Sequence, residues 1–191
     1  MLAGKGFKKV FNVAGGIKAW HAKTAIGPQD LGMDLFDGKE EPQDVLKIAY
    51  SLEQGLCEFY ISMGKEVKNE KVKDLFAKLS EIEVKHQMSI YTAYNDISDE
   101  KLNKDEFEEL VEIKALEGGL STREYLDLFN PDLNSEIDVI SLAMSIEAQA
   151  MDLYQRLSLR VTNSQSRDII NKIANEEKAH LASLGNLMDS L

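Results

Sequence analysis

The sequence predicts an all-α protein: a four-helix bundle of two helical hairpins, joined by one long crossover and preceded by a short N-terminal extension. Three observations predict it. Four segments carry apolar residues at three- and four-residue steps. The connections between them run short, long, short. The two halves also repeat one another at a constant offset of 94 positions. Composition agrees, since Leu, Ile, Glu, Lys and Ala dominate and Pro occurs only three times in 191 residues.

Residues 1–22 read differently from the rest. Phe7 to Val13 has strand-like content, Gly15-Gly16 is a tight turn, and Ile17 to Ala22 could start a helix. A linker over 23–41 holds Gly27-Pro28, Gly32 and Gly38 with no sustained period. The bundle is expected over 42–191. Pro42 suits a first helical turn, and Val45, Ile48, Ala49, Leu52, Leu56, Phe59, Tyr60 and Met63 follow at helical steps up to a break at Gly64 and Asn69. The second helix carries Val72, Leu75, Phe76, Leu79, Ile82, His86, Ile90 and Ala93, and ends near Asn95 to Asp99. The crossover, 96–134, has one short helical candidate at Glu106 to Leu116, then Gly118-Gly119 and Asn130-Pro131. Ser135 and Asp138 form a capping arrangement ahead of a third helix through Ile137, Ile140, Met144, Met151, Tyr154 and Leu157. After a turn at Asn163-Ser164, the fourth takes Ile169, Ile170, Ile173, Leu184 and Leu187 to the end.

The repeat carries chemistry as well as fold. Glu53, Tyr60, Glu83 and His86 recur as Glu147, Tyr154, Glu177 and His180, with 30 positions between the two glutamates of each copy. Ala49 and Ala143, Ser51 and Ser145, Asn69 and Asn163, Lys78 and Lys172, and Ser89 and Ser183 also match, consistent with a duplicated hairpin. Asn69 and Asn163 fall at the turns, where each could cap the next helix.

Glu and His three apart on a helix project from one face, so Glu83/His86 and Glu177/His180 each offer an oxygen and a nitrogen to one ion. Glu53 and Glu147 lie among Leu52, Leu56, Ile146 and Ala150, on faces that should point inward. An ionised carboxylate there is very costly unless neutralised. Two divalent cations would balance the four carboxylates. This donor set suits two iron or manganese ions, with zinc or cobalt able to bind without redox activity. Glu83 and Glu177 are the expected bridging ligands, and Glu53 and Glu147 the terminal ones. Tyr60 and Tyr154 lie two turns beyond Glu53 and Glu147; each phenol either hydrogen-bonds a ligand carboxylate across the bundle or fills the core.

Other candidates carry less. Glu58, Glu81, Asp152 and Glu176 read as surface charge, Cys57 as a small buried hydrophobe, His21 as exposed linker, and Met33, Met63, Met88, Met144, Met151 and Met188 as packing. The net charge of −11 argues against nucleic acid as a partner. One cysteine excludes an intrachain disulfide and any four-Cys metal centre. No apolar run approaches the ~20 residues of a membrane span, and the start does not lead into a secretory signal, so a cytoplasmic protein is the default expectation.

Residues 40–191 resemble the rubrerythrin family of the ferritin-like superfamily. The match lies in Leu52-Glu53 with Glu58-Phe59-Tyr60, Glu81 to His86, Ile146 to Ala150 with Tyr154, and Glu176 to His180. The resemblance implies a non-haem di-iron centre that reduces peroxide or dioxygen, an external electron donor such as a rubredoxin-like protein, and compatibility with a homodimer. Two departures stand out. Family members carry a further ligand glutamate one turn after the third-helix Glu, where this chain has Ala150, and they usually carry a paired Cys-x-x-Cys domain that this chain lacks. An iron-binding storage or sensing protein without efficient turnover is therefore the alternative. The segment Gly6 to Trp20, with its Gly-Phe…Val…Gly-Gly…Trp pattern, is similar to the end of a rhodanese domain without the catalytic cysteine loop.

Overall fold

The computed structural model describes residues 32–111 and 120–191. The segment likened to a rhodanese end, residues 1–22 with His21, and the first part of the expected linker, 23–31, lie outside the described residues. What is described is helical: α1 (Pro42–Glu66), α2 (Glu70–Ile97), α3 (Lys104–Glu108), α4 (Thr122–Phe129), α5 (Glu136–Arg160) and α6 (Ser164–Asp189), after a single 3-10 turn at Met33–Leu35. No described helix is long and apolar enough to cross a membrane.

The local chemistry sets the helix ends. Pro42 sits in the first turn of α1, where its missing N–H costs nothing. Asn69 accepts from the Lys71 amide, Asn163 from those of Gln165 and Ser166, and Ser135 from that of Asp138, so the expected caps are present. Such caps contribute about 1 kcal/mol each. Gly64 does not break α1, which continues to Glu66. A Cβ at Gly64 would meet the Cβ of Phe76 at 3.4 Å, an ordinary contact between α1 and α2. Of the helix expected at Glu106 to Leu116, the described part begins earlier, at Lys104, and ends at Glu108, while residues 112–116 lie outside the described residues. Its start is fixed by a reciprocal capping box between Asn103 and Glu106. Helix α4 was not expected, although the same Ser-x-x-Glu box, Ser121 with Glu124, opens it.

The hairpins α1–α2 and α5–α6 are the closest pairings; α1 also meets α6, and α2 meets α5. This is a ferritin-like bundle. Two apolar clusters fill it. One joins the C-terminal half of α1 (Leu56, Phe59, Tyr60) to the start of α2 (Val72, Phe76), the start of α5 (Ile140, Ala143) and the end of α6 (Leu184, Met188). The other joins the start of α1 (Val45, Ala49) to the ends of α2 (Ile90, Tyr94) and α5 (Leu153, Leu157) and the start of α6 (Ile170, Ile173). Helices α1 and α6 therefore run parallel, as do α2 and α5. Among the methionines expected to pack, Met33, Met144 and Met188 are buried, but Met88 is exposed on the outer face of α2.

The duplication reaches beyond the helices. The segment before α5 docks on the α1–α2 turn, with Asn69 Nδ2 donating to the Asn134 carbonyl at 3.0 Å. At the opposite end the segment before α1 docks on the α5–α6 turn. There Asn163 Nδ2 donates to Glu41 at 3.0 Å and Ser166 Oγ to the Glu40 carbonyl at 2.8 Å. The last residues of the expected linker thus pack onto the bundle, with Met33 and Phe36 in its core.

Candidate metal centre

Between the two apolar clusters lies a polar layer. Glu53 on α1, Glu83 on α2, Glu147 on α5 and Glu177 on α6 are all buried. Each helix delivers its residue here because the flanking apolar positions on the same face are committed to the core. Leu52 and Leu56 bracket Glu53, and Ile146 and Ala150 bracket Glu147. His86 and His180 follow their glutamates by one turn and reach the same layer with side chains 18% and 17% exposed.

All six residues that the repeat singled out come together, as two triads: Glu53, Glu83 and His86 in one hairpin, Glu147, Glu177 and His180 in the other. In each triad one donor atom per residue can be chosen so that all lie within 4.8 Å of one another. His86 Nδ1 is 2.8 Å from Glu83 Oε2 and 3.5 Å from Glu53 Oε2. His180 Nδ1 is 3.0 Å from Glu177 Oε2 and 3.3 Å from Glu147 Oε2. The two imidazoles stack face to face, with ring centres 3.8 Å apart and planes 7° from parallel. The triads are thus neighbours across the bundle.

The electrostatics follow from that crowding. Burial works against an ionised Glu147, but hydrogen bonds from His180 and Glu177 and the charges of His180 and His86 outweigh it, and its carboxyl titrates below the usual range. Burial likewise works against a charged His180; the hydrogen bond and charge of Glu147, with Glu83 and Glu176 behind it, push its titration up. Each imidazole turns Nδ1 toward two carboxylates. Nδ1 is therefore the ring atom that would face a cation held there. Two oxygens and one nitrogen per triad form a donor set that fits a borderline divalent metal such as iron.

Tyr60 and Tyr154 are fully buried, one in each apolar cluster, so a phenol flanks the polar layer on either side. Ala150 is buried among Leu153 and Tyr154 and adds no carboxylate. Cys57 is buried and its Sγ donates to the Ser80 carbonyl at 3.6 Å. Burial and the Glu83 charge raise its titration, so it behaves as a neutral thiol. Glu58 and Glu81 are exposed, and Asp152 is held by Arg156 at 2.7 Å.

Sequence reasoning missed a second polar contact near the layer. Tyr50, fully buried three residues before Glu53, donates its phenolic hydrogen to Glu108 in the crossover helix α3. Phe107 sets its ring edge-on to Tyr50 with centres 4.9 Å apart and also packs against Tyr94 and Tyr91. The available signal was the Asn103-x-x-Glu106 box, which announces a helix start just ahead of Phe107-Glu108.

A family model described as Rubrerythrin matches residues 44–188, a span that contains all six residues of the two triads. No curated protein and no solved structure gives a match. With the bundle, the duplicated hairpins and the family match agreeing, the chain belongs to the rubrerythrin family.

Proposed function

We propose that the two triads bind two metal ions, natively iron with manganese or zinc able to substitute, and that the loaded protein reduces peroxide or dioxygen with electrons from an external donor. The observation that carries this reading is the pair of buried Glu–Glu–His triads brought side by side at the stacked His86 and His180. Ferrous iron bound there would supply the electrons for the oxidant.

The chain's own residues do the rest. Glu53, Glu83, Glu147 and Glu177 would hold the ions through their carboxylates, and His86 and His180 would each offer Nδ1. Four carboxylates keep the layer close to neutral when two divalent cations are held, and absorb added positive charge better than an all-imidazole site would. The apolar clusters above and below exclude bulk water. Tyr60 and Tyr154 orient the ligand carboxylates, as residues behind a metal's ligands do. Peroxide needs two electrons and two protons to become water. With Cys57 the single cysteine, no four-Cys iron centre in this chain supplies the electrons. A separate carrier such as a rubredoxin-like protein is therefore the expected donor.

Ala150 favours a second reading: storage or sensing of iron without efficient turnover, because the site holds no further carboxylate at that position. The two readings separate in one experiment. Protein loaded anaerobically with Fe(II) is mixed with stoichiometric peroxide or with air. Reoxidation much faster with peroxide supports a peroxidase, and slow oxidation by both supports storage or sensing.

A further inference from the structure

The Tyr50–Glu108 contact lies outside both triads and has no counterpart in the second hairpin, where Met144 occupies the position equivalent to Tyr50. Tyr50 and Glu53 stand three apart on one face of α1, a spacing of about 5–6 Å between Cβ atoms. The phenol is fully buried. Its hydrogen-bond acceptor reaches the surface: the Glu108 side chain is 35% exposed and its Oε1 lies 3.1 Å from Lys104 Nζ. A buried phenol with a carboxylate behind it, adjacent to a redox layer, differs from a phenol bound to a backbone carbonyl. Tyr91 is of the second kind, donating to the Leu102 carbonyl at 2.8 Å.

We propose that Tyr50 is a redox-active tyrosine that carries an oxidising equivalent away from the metal layer by giving up one electron and passing its phenolic proton to Glu108. This rests on the reading of the triads as a di-iron site, whose oxidised form is the electron acceptor. The step balances. The Tyr50 O–H bond breaks and one electron goes to the oxidised centre. The proton forms a new O–H bond on the Glu108 carboxylate, leaving a neutral phenoxyl radical. An external reductant then returns the electron, and the exposed carboxyl returns the proton or exchanges it with solvent.

The surroundings fit this use. Oxidising a phenol in an apolar core without moving its proton would leave a buried cation, at a high desolvation cost. Proton transfer to Glu108 leaves the buried ring neutral and discharges the carboxylate, so no cation is held in the apolar core. Burial and the Glu108 contact raise the titration of Tyr50, and the same contact lowers that of Glu108. At rest, therefore, the proton stays on the phenol and the carboxylate is free to accept it. Phe107, Tyr94 and Tyr91 pack around the ring system and screen it from water. The bland alternative is a clip that fastens the crossover to α1, and that role predicts no radical.

The test uses the full chain, loaded with Fe(II) and mixed with peroxide, then frozen and examined by electron paramagnetic resonance. Parallel samples carry ring-deuterated tyrosine, Tyr50→Phe or Glu108→Gln. The expected result is a radical signal that narrows on deuteration, disappears in Tyr50→Phe and weakens in Glu108→Gln, with iron content unchanged in both variants. Glu108→Gln guards against misfolding of the buried variant, because residue 108 is on the surface and its amide cannot take the proton. Normal iron uptake and peroxide consumption with no radical, or with one that survives Tyr50→Phe, overturns this inference and leaves the metal reading standing. A chain that takes up no iron overturns both.

Discussion

The first hairpin, α1–α2, and the second, α5–α6, offer the same donors at the same spacing but differ in what surrounds them. His86 leans on Glu83 at 2.8 Å and stands further from Glu53, whereas His180 sits more evenly between Glu177 and Glu147. Behind the ligands the difference is larger. Tyr50, Tyr91 and Tyr94 of the first hairpin correspond to Met144, Gly185 and Met188 of the second. The first hairpin has spent those positions on an aromatic cluster that receives the crossover through Phe107, and the second on small or flexible residues. The ligand set is symmetrical, and the residues behind it are aromatic on one side only.

The largest expected effect breaks the symmetry at the ligands. Glu53→Ala and Glu147→Ala should each cut metal content from about two ions per chain to about one or fewer. Metal analysis reads the loss, while circular dichroism should show helix content nearly unchanged. Equal losses would mean that the halves bind as one unit with no bias between hairpins; unequal losses would rank them. Next comes Ala150→Glu, which installs a carboxylate among Leu153 and Tyr154. Without metal it should destabilise the fold by about 3–5 kcal/mol, the cost of an uncompensated buried charge. Denaturation with and without Fe(II) checks it, because recovery with metal would show that the new carboxylate reaches the centre.

Smaller effects lie at the turns. Asn69→Ala and Asn163→Ala should each cost about 1 kcal/mol, with Asn163 the larger, since its side chain caps two amides where that of Asn69 caps one. Thermal melts of the two variants side by side measure that gap.

The smallest expected effect is on the pH dependence of the metal-free protein. Stability from Glu147, whose titration is lowered, is present above 4.5 and is lost as pH falls through the lowered value. Stability from His180, whose titration is raised, is present below 6.5 and is lost as pH rises through the raised value. Urea denaturation should therefore find a maximum between pH 4.5 and 6.5. Glu147→Gln should flatten both flanks.

Much of this was legible in the sequence because helices make spacing into geometry. Glu83 with His86, and Glu177 with His180, had to share a face, and the inward neighbours of Glu53 and Glu147 had to bury them. The repeat then carried one hairpin's geometry to the other. Asn69, Asn163 and Ser135 were readable as caps because their side chains act on amides two or three residues away. The crossover was not readable in the same way. Helix α3 is too short for apolar periodicity, and Tyr50 meets Glu108 across 58 positions, a contact that only the folded chain creates. Gly64 misled because one glycine's low helix propensity costs only about 1 kcal/mol, too little to stop a helix held by its buried face through Glu66.

The most direct test of the central claim is anomalous scattering at the iron edge from crystals grown with Fe(II). The account predicts two peaks per chain, one at Glu53, Glu83 and His86 and one at Glu147, Glu177 and His180, flanking the stacked imidazoles. One peak, none, or peaks elsewhere on the bundle would contradict it.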